Sequence, residues 1–169
     1  MGESENAIRF EEVSRTVIGA ALRIHRELGP GLLESVYEAL LANSLGRQGL
    51  QVLRQQPVSL RYDGIVIDEG FRVDLLVEQE HVIELKSAAR LEPVFSRQLL
   101  TYLRLMNLPV GLLINFGGVT LKEGLRRVIN SHAIADLADP PPAPLPPLLP
   151  PPLSPPPHLR CFAPSREKS

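Results

Sequence analysis

Phe71-Arg72-Val73-Asp74-Leu75-Leu76-Val77, followed after a short polar turn by His81-Val82-Ile83-Glu84-Leu85-Lys86, is the stretch that decides the fold. Both segments read as strands, and Glu78-Gln79-Glu80 between them reads as the turn of a hairpin. Each carries charge where a buried strand should stay apolar. Side chains alternate along a strand, so Glu84 and Lys86 project from one face while Leu85 points the opposite way. The turn brings Asp74 back towards them. Two carboxylates and an ammonium at one end of a sheet are costly to desolvate, and a divalent cation offsets that cost.

Outward from this hairpin the periodicity changes. Upstream, Phe10, Val13, Val17, Leu22, Ile24 and Leu28 recur at mostly helical spacing and predict a first helix over about 6–28, stopped by Gly29-Pro30-Gly31. Leu33, Val36, Tyr37, Leu40, Leu41 and Leu45 predict a second over about 32–46, with Gly46 and Gly49 at its end. Residues 51–62 have strand character interrupted by Pro57, which belongs at a sheet edge or bend. Asp63-Gly64 is a two-residue hairpin signal, Ile65-Val66-Ile67 pairs back, and Glu69-Gly70 marks a bend or bulge. Downstream, Pro93 suits the first turn of a third helix over about 93–107. Val110–Phe116 is apolar enough for a central strand covered on both faces. Val119-Thr120-Leu121 reads as extended, and Glu123–Ile129 fits a helix or an edge strand equally. The order predicts an α/β fold, a mixed sheet with helices packed against it.

Composition separates this foldable part from a tail. Of 17 prolines, only Pro30, Pro57, Pro93 and Pro109 precede residue 138, leaving 13 between Pro140 and Pro164. Proline lacks the amide hydrogen that helices and ladders need, so residues 138–169 are expected to be extended and disordered, and residues 1–137 to form the single domain. Several Pro-x-x-Pro matches make the tail a candidate SH3-like ligand, although proline runs produce such matches by composition alone. The tail holds three basic and two acidic residues, so residues 1–137 carry 15 basic against 17 acidic, a net charge of −2. That is not the footprint of a protein holding DNA on a broad basic surface. Cys161, the lone cysteine, excludes an intrachain disulfide and a cysteine metal site. The acidic start Met-Gly-Glu-Ser-Glu-Asn matches neither a secretory signal nor the myristoylation pattern, and no apolar run reaches membrane-spanning length. A cytoplasmic protein with no membrane partner is expected.

Each candidate site residue has a plain reading and a chemical one. Strands often end in charge at the solvent boundary. Here Val82-Ile83 before Glu84 and Leu75-Leu76-Val77 after Asp74 mark core strands, where unpaired charge is expensive. Lysine is scarce before the tail, Lys86 and Lys122 against 13 arginines. Glu34 suits a helix start through the macrodipole, or it supplies a further carboxylate to the strand cluster; Tyr37, three residues on, reads as core or as a substrate contact. Gln98 and Tyr102 share a helix face, as exposed polar residues or as groups that reach a phosphate or orient Lys86. Arg72 shares a face with Asp74 and pairs with a carboxylate or contacts a phosphate. His25 reads as a hydrogen-bonded core or boundary histidine in preference to a ligand.

Taken in order, Asp74…Glu84-Leu85-Lys86 resembles the signature of the PD-(D/E)XK nuclease superfamily. Gly31-x-x-Glu34-x-x-Tyr37, preceded by His25 and Leu28-Gly29-Pro30, resembles the hallmark of its GxxExxY family. Gln98-x-x-x-Tyr102 is similar to a motif that follows the catalytic strand in recombination-type nucleases. The resemblance spans about residues 7–130; Val73 stands where the pattern prefers proline, and the tail has no counterpart. It implies a restriction-endonuclease-like mixed β-sheet flanked by α-helices. It also implies Mg²⁺ or Mn²⁺ held by Asp74, Glu84, the Leu85 carbonyl and Glu34, with Lys86 assisting an attacking water. Gln98, Tyr102, Tyr37 and Arg72 become expected substrate contacts, and nucleic acid, in the first place DNA, the expected partner. A homodimer is compatible with cutting two strands. The competing reading is a nuclease-fold module that binds or scaffolds without turnover; a hydrolase of another phosphorylated substrate is a third.

Overall fold

The computed structural model describes residues 2–131, without the side chains of residues 2–8 and 61–62. The proline-rich segment 138–169, and with it the expected boundary at residue 137, lies outside the described residues.

The first helix, α1, runs from Gly2 to Leu28 and begins earlier than its apolar spacing predicts. Its buried stripe is Val13, Val17, Ala20, Ala21 and Ile24, whereas Leu22 and Leu28 are exposed. Ala20 and Ala21, rather than the bulkier leucines, therefore face the core. Gly29, in the left-handed region (φ 69°), closes the helix with its N–H on His25 O at 2.8 Å.

Helix α2, Glu34–Gly46, starts two residues later than expected, because Leu33 is extended and its carbonyl accepts the first helical bonds from Val36 and Tyr37. Its buried face is Tyr37, Glu38, Leu41 and Leu45. Leu33, Val36 and Leu40, expected on the apolar stripe, are exposed instead. Val36 and Leu40 each precede a buried residue by one position, about 100° around the helix, and Leu33 lies before the first helical residue.

Strands β1 (Val52–Tyr62) and β2 (Ile65–Val77) form a long antiparallel hairpin. Asp63 and Gly64 both have positive φ, 46° and 77°, as a tight turn matched to strand twist requires. The expected irregularity at Glu69-Gly70 is a bulge. Val58 pairs with Phe71 and Leu60 with Ile67, so three residues of β2 oppose Ser59 alone. Strand β3, His81–Lys86, pairs antiparallel with β2 only at Leu75–Val77. The hairpin beyond Asp74 is therefore a two-stranded ribbon, with Ile65, Val66 and Ile67 exposed near its tip.

Helix α3, Pro93–Leu105, carries the chain over the sheet to β4, Val110–Asn115, which lies parallel to β3 and is buried throughout. A 3₁₀ turn at Lys122–Gly124 leads into β5, Leu125–Ile129, antiparallel to β4. The ambiguous stretch Glu123–Ile129 is thus an edge strand entered through a 3₁₀ turn, with Arg126 and Arg127 guarding an open edge, whereas Val119-Thr120-Leu121, expected to be extended, forms bends and a turn that lead into the 3₁₀ turn. The sheet order is β1-β2-β3-β4-β5. Helices α1 and α2 cover one face, over Leu75, Val77, Ile83, Leu85, Leu112 and Ile114. Helix α3 covers the other, where Leu99 and Leu103 meet Val73, Leu76, Val82 and Leu113.

Candidate active site

The carboxyl ends of β3 and β4 lie side by side, with Lys86 paired to Asn115. Ile83 and Leu85 point under α1 and α2, so Glu84 and Lys86 turn to the α3 face together with Val82. Continuing the β2–β3 register by one residue sets Asp74 across from Glu84. Asp74 replaces a ladder bond with its side chain, Oδ2 accepting the Leu85 N–H at 2.8 Å. Lys86 Nζ donates to Glu84 Oε1 at 2.7 Å and stands 3.9 Å from Glu34 Oε1. Its ammonium also lies 5.5 Å from the Phe95 ring centroid on α3, within cation–π range.

Glu34 reaches this cluster from the first turn of α2. Two anchors hold the turn before it: Ser87 Oγ donates to Leu32 O at 2.7 Å, and Tyr37 Oη donates to Gly29 O at 2.6 Å while accepting the Leu32 N–H at 3.2 Å. The strand end is pinned as well. Asn115 takes the Ala88 N–H on Oδ1 at 2.9 Å and donates to Ala88 O at 2.8 Å, and the Phe116 N–H donates to Lys86 O at 2.7 Å. A Cβ at Gly117 would lie 2.4 Å from Ala88 O, so only glycine permits this approach.

Burial dominates the electrostatics. Desolvation raises the pKa of Glu84 to about 7, with the Asp74 charge adding to it and Lys86 opposing it. Desolvation likewise raises Asp74, against the Leu85 N–H and Lys86, and raises Glu34, against Lys86. Burial also works against charge on Lys86. The hydrogen bond to Glu84 and the surrounding carboxylates prevail, and its pKa lies above the ordinary value. Glu84 is 3% exposed, and its Oε2 is buried without a hydrogen-bond partner. A buried carboxylate oxygen with nothing to satisfy it suits a hard cation. No three His, Cys, Asp or Glu side chains converge as a ready cage among the described residues.

The sequence profile of the PD-(D/E)XK nuclease superfamily matches residues 11–128, from α1 to β5. The chain belongs to this superfamily. The mixed sheet flanked by helices is its restriction-endonuclease-like α/β fold. No curated protein and no solved structure shows significant similarity to the chain.

Within the matched superfamily region the expected residues divide. Asp74, Glu84, Lys86 and Glu34 come together. Leu85 contributes only its main chain, since its side chain is fully buried in the core. Gln98 and Tyr102 bond to each other at 2.5 Å, with Tyr102 stacked on Phe71 at 4.1 Å, and neither hydrogen-bonds Lys86. Arg72 pairs with Glu69 rather than with Asp74. Tyr37 corrects the expectation of a substrate contact: it is fully buried, stacked on Phe116, with its hydroxyl committed to the Gly29–Leu32 turn. His25 lies at the edge of the core with its Nε2 3.0 Å from Gly118 O, within the core-or-boundary expectation.

Sequence reasoning missed Glu38, one turn after Glu34. It is 4% exposed and bound by Arg54 Nε at 2.8 Å and Gln55 Nε2 at 2.7 Å. Its i,i+4 spacing from Glu34 was a readable signal. Phe95 and Asn115 were missed too, and Asn115 was detectable as a polar residue closing an apolar run. An apolar hollow of about 360 Å³ lies apart from the carboxylates, lined by Ser14, Ile18, Leu112 and Leu125 under Arg15 and Arg126, and shares no residue with them.

Proposed function

We propose that this protein is a metal-dependent nuclease of the GxxExxY type that hydrolyses phosphodiester bonds in nucleic acid, DNA before RNA. The observation that carries the reading is the unpartnered, buried Glu84 Oε2 between Asp74 and Lys86. Asp74 and Glu84 would hold Mg²⁺ or Mn²⁺, helped by the Leu85 carbonyl and, through water, by Glu34. Such an ion would acidify an attacking water and offset charge on the scissile phosphate. Lys86 stays protonated among its carboxylates, so it acts as a donor and not as a base. Its Nζ orients the water or a phosphate oxygen and balances charge that develops there. Phe95 keeps water off one side of the ammonium and so strengthens its field.

The non-catalytic reading draws support from the net charge of −2 over residues 1–137 and from the closed Lys86–Glu84 pair. A cleavage assay separates the two. Labelled single- and double-stranded DNA and RNA are incubated with Mg²⁺, Mn²⁺ or a chelator, with wild type beside Asp74→Ala and Lys86→Ala. The nuclease reading expects metal-dependent cutting that falls about a hundredfold or more in both variants. Absence of cutting by a cooperatively melting wild type on every polymer would instead support the binding module.

A further inference from the structure

Five non-glycine residues have positive φ among the described residues: Gln55, Asp63, Glu78, Gln79 and Asn107. Four occupy turns, where such backbone is expected. Gln55 (φ 48°) does not. It sits inside β1, between the registered pairs Arg54–Leu75 and Gln56–Val73, and so stands directly across from Asp74. The β1–β2 pairing is interrupted at this one position of the run, and glutamine, with its Cβ, adopts the left-handed conformation at a cost.

The side chain shows what the conformation achieves. Gln55 Nε2 donates to Glu38 Oε2 at 2.7 Å and to Asp74 Oδ1 at 3.3 Å, which places one amide between two carboxylates of different elements. Glu38 is in turn fixed by Arg54 Nε at 2.8 Å. Asp74 is thereby held at both oxygens, Oδ2 by the Leu85 N–H and Oδ1 by Gln55. A carboxylate with both oxygens held has lost its rotation before any ligand arrives, and preorganisation of this kind raises affinity without adding a contact.

We infer that Gln55 is a positioning residue: its strained backbone presents an amide that couples Glu38 to Asp74 and fixes the Asp74 carboxylate for cation binding. The inference rests on the metal-site reading above. Glutamine suits the role because its amide donates without adding charge, whereas a lysine would compete with the cation and a glutamate would repel both carboxylates.

The test compares Gln55→Ala, which keeps the strain and loses the amide, with Gln55→Gly, which loses both, and with Gln55→Asn. Asparagine tolerates left-handed backbone and retains an amide. Mn²⁺ affinity is measured by titration and Tm by calorimetry on the full chain without metal. Gln55→Gly should melt about 3–6 °C above Gln55→Ala, because glycine carries no penalty at this φ. Both variants should nevertheless bind Mn²⁺ about fivefold more weakly than wild type, and by the same factor, while Gln55→Asn recovers part of the loss. A purely structural role predicts instead that affinity follows Tm, with alanine worse than glycine; that result would overturn the inference, as would Gln55→Gly binding within twofold of wild type. If wild type itself binds no Mn²⁺, the metal-site reading fails and this inference fails with it, an outcome distinct from equal binding by all four proteins.

Discussion

Glu84 is 3% exposed, bonded through one oxygen and orphaned at the other. With its pKa raised from the ordinary carboxylate value to about 7, it stabilises the metal-free fold fully below about pH 4.5, and that contribution is lost as pH rises through 7. Glu84→Gln keeps the shape and cannot ionise. In the presence of a chelator, the variant should therefore gain on wild type by about 2–3 kcal/mol between pH 4.5 and pH 8, read from denaturant midpoints. With saturating Mg²⁺ the order should reverse, because binding to the native state stabilises wild type and not the variant. A pH-independent difference between the two proteins would show that Glu84 is not strained by its burial.

Among single residues, the sequence disclosed what alternation and charge disclose. Asp74, Glu84 and Lys86 stood out because each breaks an apolar strand. Gln55 gave no signal, since a positive φ leaves no mark on a glutamine codon by codon, and only the paired register shows that it faces Asp74. Tyr37 was legible as important but not in its part: motif spacing places it beside Glu34 without saying which way its hydroxyl turns.

Elements decide how firmly the site is held. The end of β3 is fixed by a neighbour, β4, through Asn115 and through the close approach of Gly117 to Ala88. Gly117→Ala puts a methyl group where a carbonyl oxygen already stands, which should cost about 1–3 kcal/mol and move Ser87-Ala88 away from the Lys86 end of the strand. The control is adjacent: a Cβ at Gly118 meets nothing closer than 3.4 Å, so Gly118→Ala should stay within about 0.5 kcal/mol of wild type. Equal Tm values for the two variants would contradict this account of the clamp. The order of elements up to β4 followed from periodicity, and the Asp63-Gly64 turn and the irregularity at Glu69-Gly70 from their glycines; β5 did not, because Glu123–Ile129 suits helix and strand equally. The apolar face of α2 did not, because Leu33, Val36 and Leu40 satisfy the same spacing as the true core residues. Hydrophobic identity cannot choose between two adjacent faces of one helix; the sheet does.

Across the whole molecule, two hydrophobic layers meet on β3 and β4, and the carboxylates sit at the open end of those strands. No helix among the described residues is long and apolar enough to cross a membrane. Residues such as Leu85 and Leu113, fully buried between helix layers, tie the strand ends to the core, so truncating either to alanine belongs to the costly class of about 2–5 kcal/mol.

The tip of the β1–β2 ribbon stands outside that arrangement, since β3 stops pairing with it at Leu75 and the packing of α3 on it ends at Val58 and Phe71. The ribbon behaves as a cantilever fixed from Asp74 to Phe71, and its free end has little packed surface to lose on opening. Amide hydrogens of Ile65, Val66 and Ile67 should exchange with solvent deuterium through local opening, at rates that hardly depend on denaturant. Those of Leu85 and Leu113 should exchange only when the whole domain unfolds. Uniform protection along β2 would mean that the ribbon is cooperative with the sheet. The expected gradient would mean that this molecule can fray the tip of its longest strand while the carboxylates stay where they are.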